Sequence, residues 1–156
     1  HPVMHVTWYG AQAYCQWAGG RLPTVAAGEK AARGTEGQRY PWGEQLPNCN
    51  LANYYGCEGG TAPVGTYPDG ASPYGALDVA GNVWEWVADW YDPYFYSQEE
   101  NDNNPQGPEF GTTRVYRGGS WVYNVREGGD LWTSDRSWDN PYNTKQYLGF
   151  RCVRSP

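Results

Sequence analysis

Apolar residues recur along this chain in short bursts separated by glycine, proline and polar turns, with no long helical stripe. The densest burst is residues 84–90, WEWVADW, behind the turn Gly81-Asn82. In a strand, Trp84 and Trp86 share one face and Glu85 takes the other. Large rings on one face mark a core strand, and each buried indole N–H requires an acceptor. Upstream, residues 2–8 (PVMHVTW) read as extended; Ala11, Tyr14, Cys15 and Trp17 then fall at helical spacing until Gly19-Gly20. Thr24 is placed to cap a second helix over Val25–Arg33. Gly28 lies inside that helix, where glycine costs about 1 kcal/mol relative to alanine. Residues 34–70 read as loops with short extended pieces, and Tyr91–Asn104 as an acidic, aromatic surface loop. A strand is expected at Thr113–Arg117, closed by the Gly118-Gly119 turn, and no internal repeat or low-complexity linker is present.

Length and composition narrow this picture. A chain of 156 residues suits one domain with a core of useful size. Aromatic residues at 17%, with 21 glycines and 12 prolines, describe a loop-rich domain held by large rings rather than by aliphatic helices. A mean hydropathy of -0.81, without a long apolar run, gives no transmembrane segment. The net charge of -6 argues against a nucleic-acid backbone or an anionic membrane as partner. Of the four cysteines, Cys49 and Cys57 lie eight apart, close enough to clip one loop; reduced, buried thiols are the alternative. Asp78 and Glu85 flank the Gly81-Asn82 turn, and oxygen ligands grouped in this way suit a hard cation such as calcium.

Six blocks in order, RLPT (21–24), AARG (32–35), YPWG (40–43), GALDVAGNVWEWVADWY (75–91), RGGSW (117–121) and LGFR (148–151), resemble the formylglycine-generating-enzyme family, also called the sulfatase-modifying-factor domain. The resemblance runs from His1 to Arg151 and implies an α+β domain of low regular secondary structure, the compact formylglycine-generating-enzyme variant of the C-type lectin fold. It implies one domain over residues 1–156, lacking the family's N-terminal part. It also implies a disulfide between Cys15 and Cys152; with Cys49 and Cys57 close enough in sequence to clip their own loop, disulfides favour an exported protein, extracellular, periplasmic or on the cell surface. By the same resemblance calcium would be held by the Asp78 and Glu85 carboxylates with the Gly81 and Val83 carbonyls. A first calcium site would use Asn53 and the Tyr54 carbonyl, with Glu58 as the nearest acid in a shortened loop. Where the family carries acidic residues and a tryptophan after RLPT, this chain has Val25, Ala27 and Gly28. A partner fills that gap, or the region is locally loose.

The resemblance does not extend to the family's copper chemistry. Family enzymes hold copper(I) through two cysteines between RGGSW and GFR, and those positions here are Gly128 and Thr133. Soft thiolates suit that ion; glycine and threonine do not. Iron-dependent oxygenases of the family use histidines, and this chain offers His1 and His5, which share a face if residues 2–8 form a strand. What stands in the catalytic stretch is Val122–Tyr147, rich in Tyr, Trp, Asn, Ser and Asp, types that recognition surfaces use. The candidate ligand face is Tyr123, Asn124, Asp130, Trp132, Asp135, Trp138, Tyr142 and Asn143. The stretch resembles variable binding proteins diversified by retroelements, although Trp132 and Trp138 are not reachable from an asparagine codon by changing adenines. An ordinary polar loop is the other reading. The sequence therefore points to a non-catalytic, calcium-stabilised domain that binds a protein, peptide or glycan. The alternatives are a fragment of a sulfatase-modifying-type or iron-dependent oxidoreductase, and a structural subunit of a cell-surface assembly.

Overall fold

Thr7 and Thr24 each open a helix in the computed structural model, which describes residues 1–98, 105–123 and 131–154. The Thr7 hydroxyl accepts the Gly10 N–H at the start of α1 (Trp8–Trp17), and Thr24 accepts the Ala27 N–H at 3.1 Å at the start of α2 (Val25–Arg33). Each bond satisfies one of the amide donors that a helix leaves unpaired in its first turn. The bounds of α2 are those the sequence predicts. Those of α1 are not, because Trp8 is helical and residues 2–7 form no strand. His5 takes the left-handed conformation at φ 57°, so His1 and His5 do not share a strand face. The His1 ring instead lies 2.9 Å from the Thr61 hydroxyl.

One sheet gathers β1 (Trp84–Trp90), β2 (Arg114–Arg117), β3 (Arg136–Asp139) and β4 (Leu148–Phe150) in the order β3-β2-β1-β4. The first two pairings from the β3 edge are antiparallel; β1 and β4 run parallel. The strand expected at Thr113–Arg117 begins one residue later. The close approach of the N-terminal segment to β4 requires Gly149, because a Cβ there would lie 2.3 Å from the Val3 carbonyl oxygen.

The main core is built of rings. Trp8, Trp84, Trp86 and Tyr116 bury with Ala11, Cys15, Leu22 and Leu148. Trp84 and Trp86 meet Tyr116 edge to face at 5.1 and 5.5 Å between centroids, a favoured aromatic geometry. The Trp86 indole N–H donates to Val6 O at 3.2 Å, and that of Trp8 to Val87 O at 2.7 Å. The Arg114 guanidinium lies between the Trp8 and Trp90 rings, 3.7 and 3.4 Å from their centroids, a cation–π sandwich. Val25, Val87 and Val115 form a separate cluster on which Tyr91 and Tyr96 pack. The first part of the Tyr91–Asn104 segment is therefore not the plain surface loop its composition suggests. Tyr96 donates its hydroxyl to Asp89, and residues 99–104 lie outside the described residues. Both disulfides form as expected, Cys15 with Cys152 and Cys49 with Cys57. No helix among the described residues is long and apolar enough to cross a membrane.

Candidate functional site

The Gly81-Asn82 turn is tied down from three directions. Gly81 N–H donates to Gly118 O at 2.6 Å, and Asn82 N–H to Asn53 O at 2.7 Å. The Asn82 side chain closes a two-bond ring with the Ala62 backbone, accepting its N–H at 3.0 Å and donating to its carbonyl at 3.2 Å. Gly81 has φ 82°, and a Cβ would lie 2.6 Å from Asn53 O. Only glycine fits this approach. The turn launches β1 with Trp84 and Trp86 inward and Glu85 on the opposite face, as the alternation predicts.

Glu85 meets Arg151, the arginine of the LGFR block. Arg151 Nε donates to one carboxylate oxygen at 2.5 Å and Nη2 to the other at 2.7 Å, a bidentate pair. Nη2 also reaches the Asp78 and Leu77 carbonyls at 3.0 and 3.1 Å. The Glu85 carboxylate holds the Arg151 pKa above its ordinary value. Asp78, at φ 54°, accepts the Gly65 N–H through Oδ2 at 2.6 Å. Asp78, Val83 and Glu85 line one groove together with Gly65 and Arg151; Gly81 does not line it. Two carboxylates against one guanidinium leave one negative charge among hard oxygen donors, but Arg151 takes both Glu85 oxygens and the Gly65 N–H takes Asp78 Oδ2, so a divalent cation would have to share these partners or displace them. No cluster of three or more His, Cys, Asp or Glu side chains exists among the described residues, so carbonyls would have to complete the coordination.

The other expected calcium set is used differently. Asn53 is fully buried; its Nδ2 donates to Gly60 O at 2.8 Å, and its Oδ1 accepts the Glu58 N–H at 3.4 Å. The Tyr54 carbonyl accepts the Cys57 N–H at 3.1 Å, and Glu58 accepts the Tyr67 hydroxyl at 3.3 Å. Asn53 Oδ1, the Tyr54 carbonyl and Glu58 Oε1 are each engaged by a partner in the disulfide-clipped loop or just beyond it.

The candidate ligand face divides. Asn124 and Asp130, like Gly128, lie outside the described residues. Tyr123 turns inward, meeting Trp84 at 5.9 Å and Tyr147 at 5.7 Å, and burial with the Tyr147 hydrogen bond pushes its hydroxyl up to about 12. Trp132 is half-exposed and donates its indole N–H to the Tyr40 hydroxyl at 3.3 Å. Trp138, on the edge strand β3, is 46% exposed and stacks on Tyr91 at 3.9 Å. Tyr142, 70% exposed, leans on Tyr9 at 4.9 Å. Asn143 donates to Asp139 at 2.7 Å, and Asp135 N–H closes a turn onto Trp132 O at 2.9 Å. Thr133 serves the structure: its hydroxyl donates to Gln38 O at 2.5 Å, and its carbonyl accepts from Arg117.

Sequence reasoning missed the second partner of two of its own blocks. Arg151 binds Glu85, and Arg117 of RGGSW runs back under α2, with Nη2 at 3.6 Å from Glu29. An arginine in an otherwise apolar or glycine-rich block was the available signal.

The comparisons with known proteins agree with this architecture. The sulfatase-modifying factor enzyme 1-like domain matches residues 1–156. The formylglycine-generating enzyme of Thermomonospora curvata is 42% identical over 173 residues, covering 100% of this chain and 56% of that protein. The serine/threonine-protein kinase pkn1 of Chlamydia caviae is 44% identical over 99% of this chain, which spans 24% of it. Among solved structures, Treponema denticola variable protein 1 superposes with a TM-score of 0.80 at 26% identity, covering 99% of this chain and 71% of that one. The chain belongs to the sulfatase-modifying-factor family, with few helices and a curled mixed sheet in the formylglycine-generating-enzyme variant of the C-type lectin fold. It spans little more than half, or less, of these curated relatives.

Proposed function

We propose that this domain is a non-catalytic recognition module, exported and stabilised by calcium. The observation that carries the reading is the state of its sulfur. All four cysteines are consumed in the pairs Cys15–Cys152 and Cys49–Cys57, which leaves no thiolate to hold copper(I) or act as nucleophile. Two disulfides also favour an oxidising compartment. Rings presented at the β3 edge by Trp138 and beyond it by Tyr142, each backed by a second ring, supply rigid contact area for a protein, peptide or glycan. Asp78, Glu85 and the Val83 carbonyl would hold the calcium ion, whose charge would brace the turn that starts β1.

The test is direct. With copper(I), oxygen and a cysteine-containing sulfatase peptide supplied, no formylglycine is expected by mass spectrometry. Product above a no-protein control would overturn the reading and favour the alternative that the 42% identity to a formylglycine-generating enzyme supports, a partial catalyst. Glycan and peptide arrays probed with the wild type and with Trp138→Ala and Tyr142→Ala then test the face itself. A ligand bound equally by all three proteins would remove the site. Mass in solution distinguishes a free module from an assembly subunit.

A further inference from the structure

The outer flank of α2 carries positive charge on a chain whose net charge is -6. Two grooves adjoin there and share Arg33 and Ser134. Lys30, Arg33 and Arg136 border the first, with Glu29 as the acid among its described residues. The second adds Arg39 and the half-exposed Trp132, with Glu44 as its acid. Four cations against two carboxylates leave a local excess of two positive charges.

Neither carboxylate is free to offset that excess. Glu29 Oε1 meets Arg33 at 2.5 Å, and its Oε2 lies 3.6 Å from the buried Arg117. Glu44 accepts the Arg39 backbone N–H at 3.0 Å and lies 3.6 Å from Arg39 Nε. Lys30 and Arg136 make no ion pair among the described residues. Arg136 also stands directly across the β2–β3 ladder from Arg117, and like charges in opposed positions repel. Asp89 and Asp135 act on Arg117 as well, but neither lines the groove. Lys30, Arg33 and Arg136 thus surround one opening, where an oxyanion would relieve the repulsion and accept charge-assisted hydrogen bonds.

We infer that the joined grooves bind an acidic oligosaccharide, with its carboxylate or sulfate oxygens on Lys30, Arg33 and Arg136 and a neighbouring sugar ring on Trp132. The Trp132 indole donates its N–H to the Tyr40 hydroxyl at 3.3 Å, which holds the ring by one edge and leaves it half-exposed. A flat apolar ring beside the Ser134 hydroxyl and a row of cations matches a hydroxylated ring better than an aliphatic side chain. An excess of two charges suits one or two oxyanions. A nucleic acid, with a charge about every 1.7 Å of duplex, would bring far more negative charge against a chain of net -6. The site is separate from Trp138, Tyr142 and the Asp78–Glu85 groove, so it stands or falls without them.

The probes are a galacturonate tetrasaccharide, a heparin-derived tetrasaccharide, neutral maltotetraose and a tetra-glutamate peptide. Each is titrated into the disulfide-bonded protein in calcium-free buffer and followed by NMR. An acidic sugar should shift the Lys30, Arg33 and Ser134 amides and the Trp132 indole N–H saturably, with an affinity that falls as salt is raised. The tighter of the two acidic sugars names the oxyanion as carboxylate or sulfate, and either result supports the site. Maltotetraose should leave these signals in place. The peptide, which has charge but no sugar ring, should bind more weakly than the acidic sugars, and Trp132→Ala should remove that difference. Lys30→Ala should weaken sugar binding about two- to fivefold, the scale of one exposed ion pair. Lys30→Glu combined with Arg136→Glu should abolish it while the amide signals stay dispersed. No saturable shift with either acidic sugar, equal binding of maltotetraose, peptide binding as tight as that of the sugars, or full affinity in the Lys30→Ala and double variants would each overturn the assignment.

Discussion

Trp86 and Trp138 belong to the same sheet and lead opposite lives. Trp86 has no exposed surface, an acceptor for its indole N–H and Tyr116 against its ring. Trp138 is 46% exposed with one stacked neighbour, Tyr91. The residue type is the same; the place in the strand order differs. β1 is flanked by strands on both sides and β3 lies at the edge. Ring content alone therefore does not separate core from surface here, whereas strand position does.

The sharpest way to break that contrast is to truncate the central ring. Trp86→Ala should cost roughly 3–5 kcal/mol in urea denaturation, the range for deleting a buried large side chain. A loss below about 1 kcal/mol would mean the WEW strand is not the core it is described to be. Next in size is the covalent tie behind the same ring cluster. Cys15→Ala with Cys152→Ala should cost about 2–5 kcal/mol, and an unchanged melting curve would show that noncovalent packing alone fixes the chain ends.

Calcium comes third. If the Asp78–Glu85 groove holds it, an ion at 100-fold excess over its dissociation constant adds about 2.7 kcal/mol. Chelation should then lower the melting temperature by about 5–10 °C. No shift on chelation, with none lost in Asp78→Ala, would remove calcium from the groove.

A smaller effect should appear as a pH slope. Burial raises the Asp89 carboxyl above its ordinary value, while the Tyr96 hydroxyl and Val25 N–H bonds act the other way. The native state then holds this proton more tightly than the unfolded chain does. Its contribution to stability is fully present below the unfolded carboxylate value of about 4 and is lost as pH rises through the folded value. Asp89→Asn should flatten stability across that window in denaturation series; an unchanged slope would assign it to other groups. Smallest of all, Trp138→Ala and Tyr142→Ala should each shift stability by under about 0.5 kcal/mol, since edge rings carry little of the fold. A loss comparable with that of Trp86→Ala would make β3 part of the core and erase the contrast.

Much of the fold was legible where local chemistry and global packing agree. Thr24 caps α2 and Gly34 ends it at φ 66°, so both bounds follow from side-chain chemistry. The alternation of Trp84, Glu85 and Trp86 places rings and carboxylate on the correct faces because a central strand has two distinct environments. At residues 2–8 the pattern misleads, since Val3, Val6 and Trp8 favour a strand locally, yet Trp8 falls inside the helix that Thr7 caps, Val6 packs on the core and Val3 stays exposed. β3, with the polar sequence RSWD, carries no alternation because an edge strand beside solvent does not need one. The site was legible as a set of blocks but not as a set of pairs. Nothing in the linear order says that Glu85 meets Arg151, 66 positions away, or that Arg117 ends against α2. The substitution at Gly28 signalled a gap, and the structure gives that gap walls.

The Cys15–Cys152 link carries a consequence for the order of events as the chain emerges. Cys49 and Cys57 are 8 positions apart and can join as soon as their loop is free, while Cys15 has to wait for a thiol 137 positions later. At about 5–20 residues per second, that wait is roughly 7–27 s. During it, early closure of the short loop removes the two nearest wrong partners for Cys15. The parallel strand β4, which arrives with Cys152, is also the last to be delivered. Closing the small disulfide first should therefore spare Cys15 two competing thiols, Cys49 and Cys57, before its own partner exists.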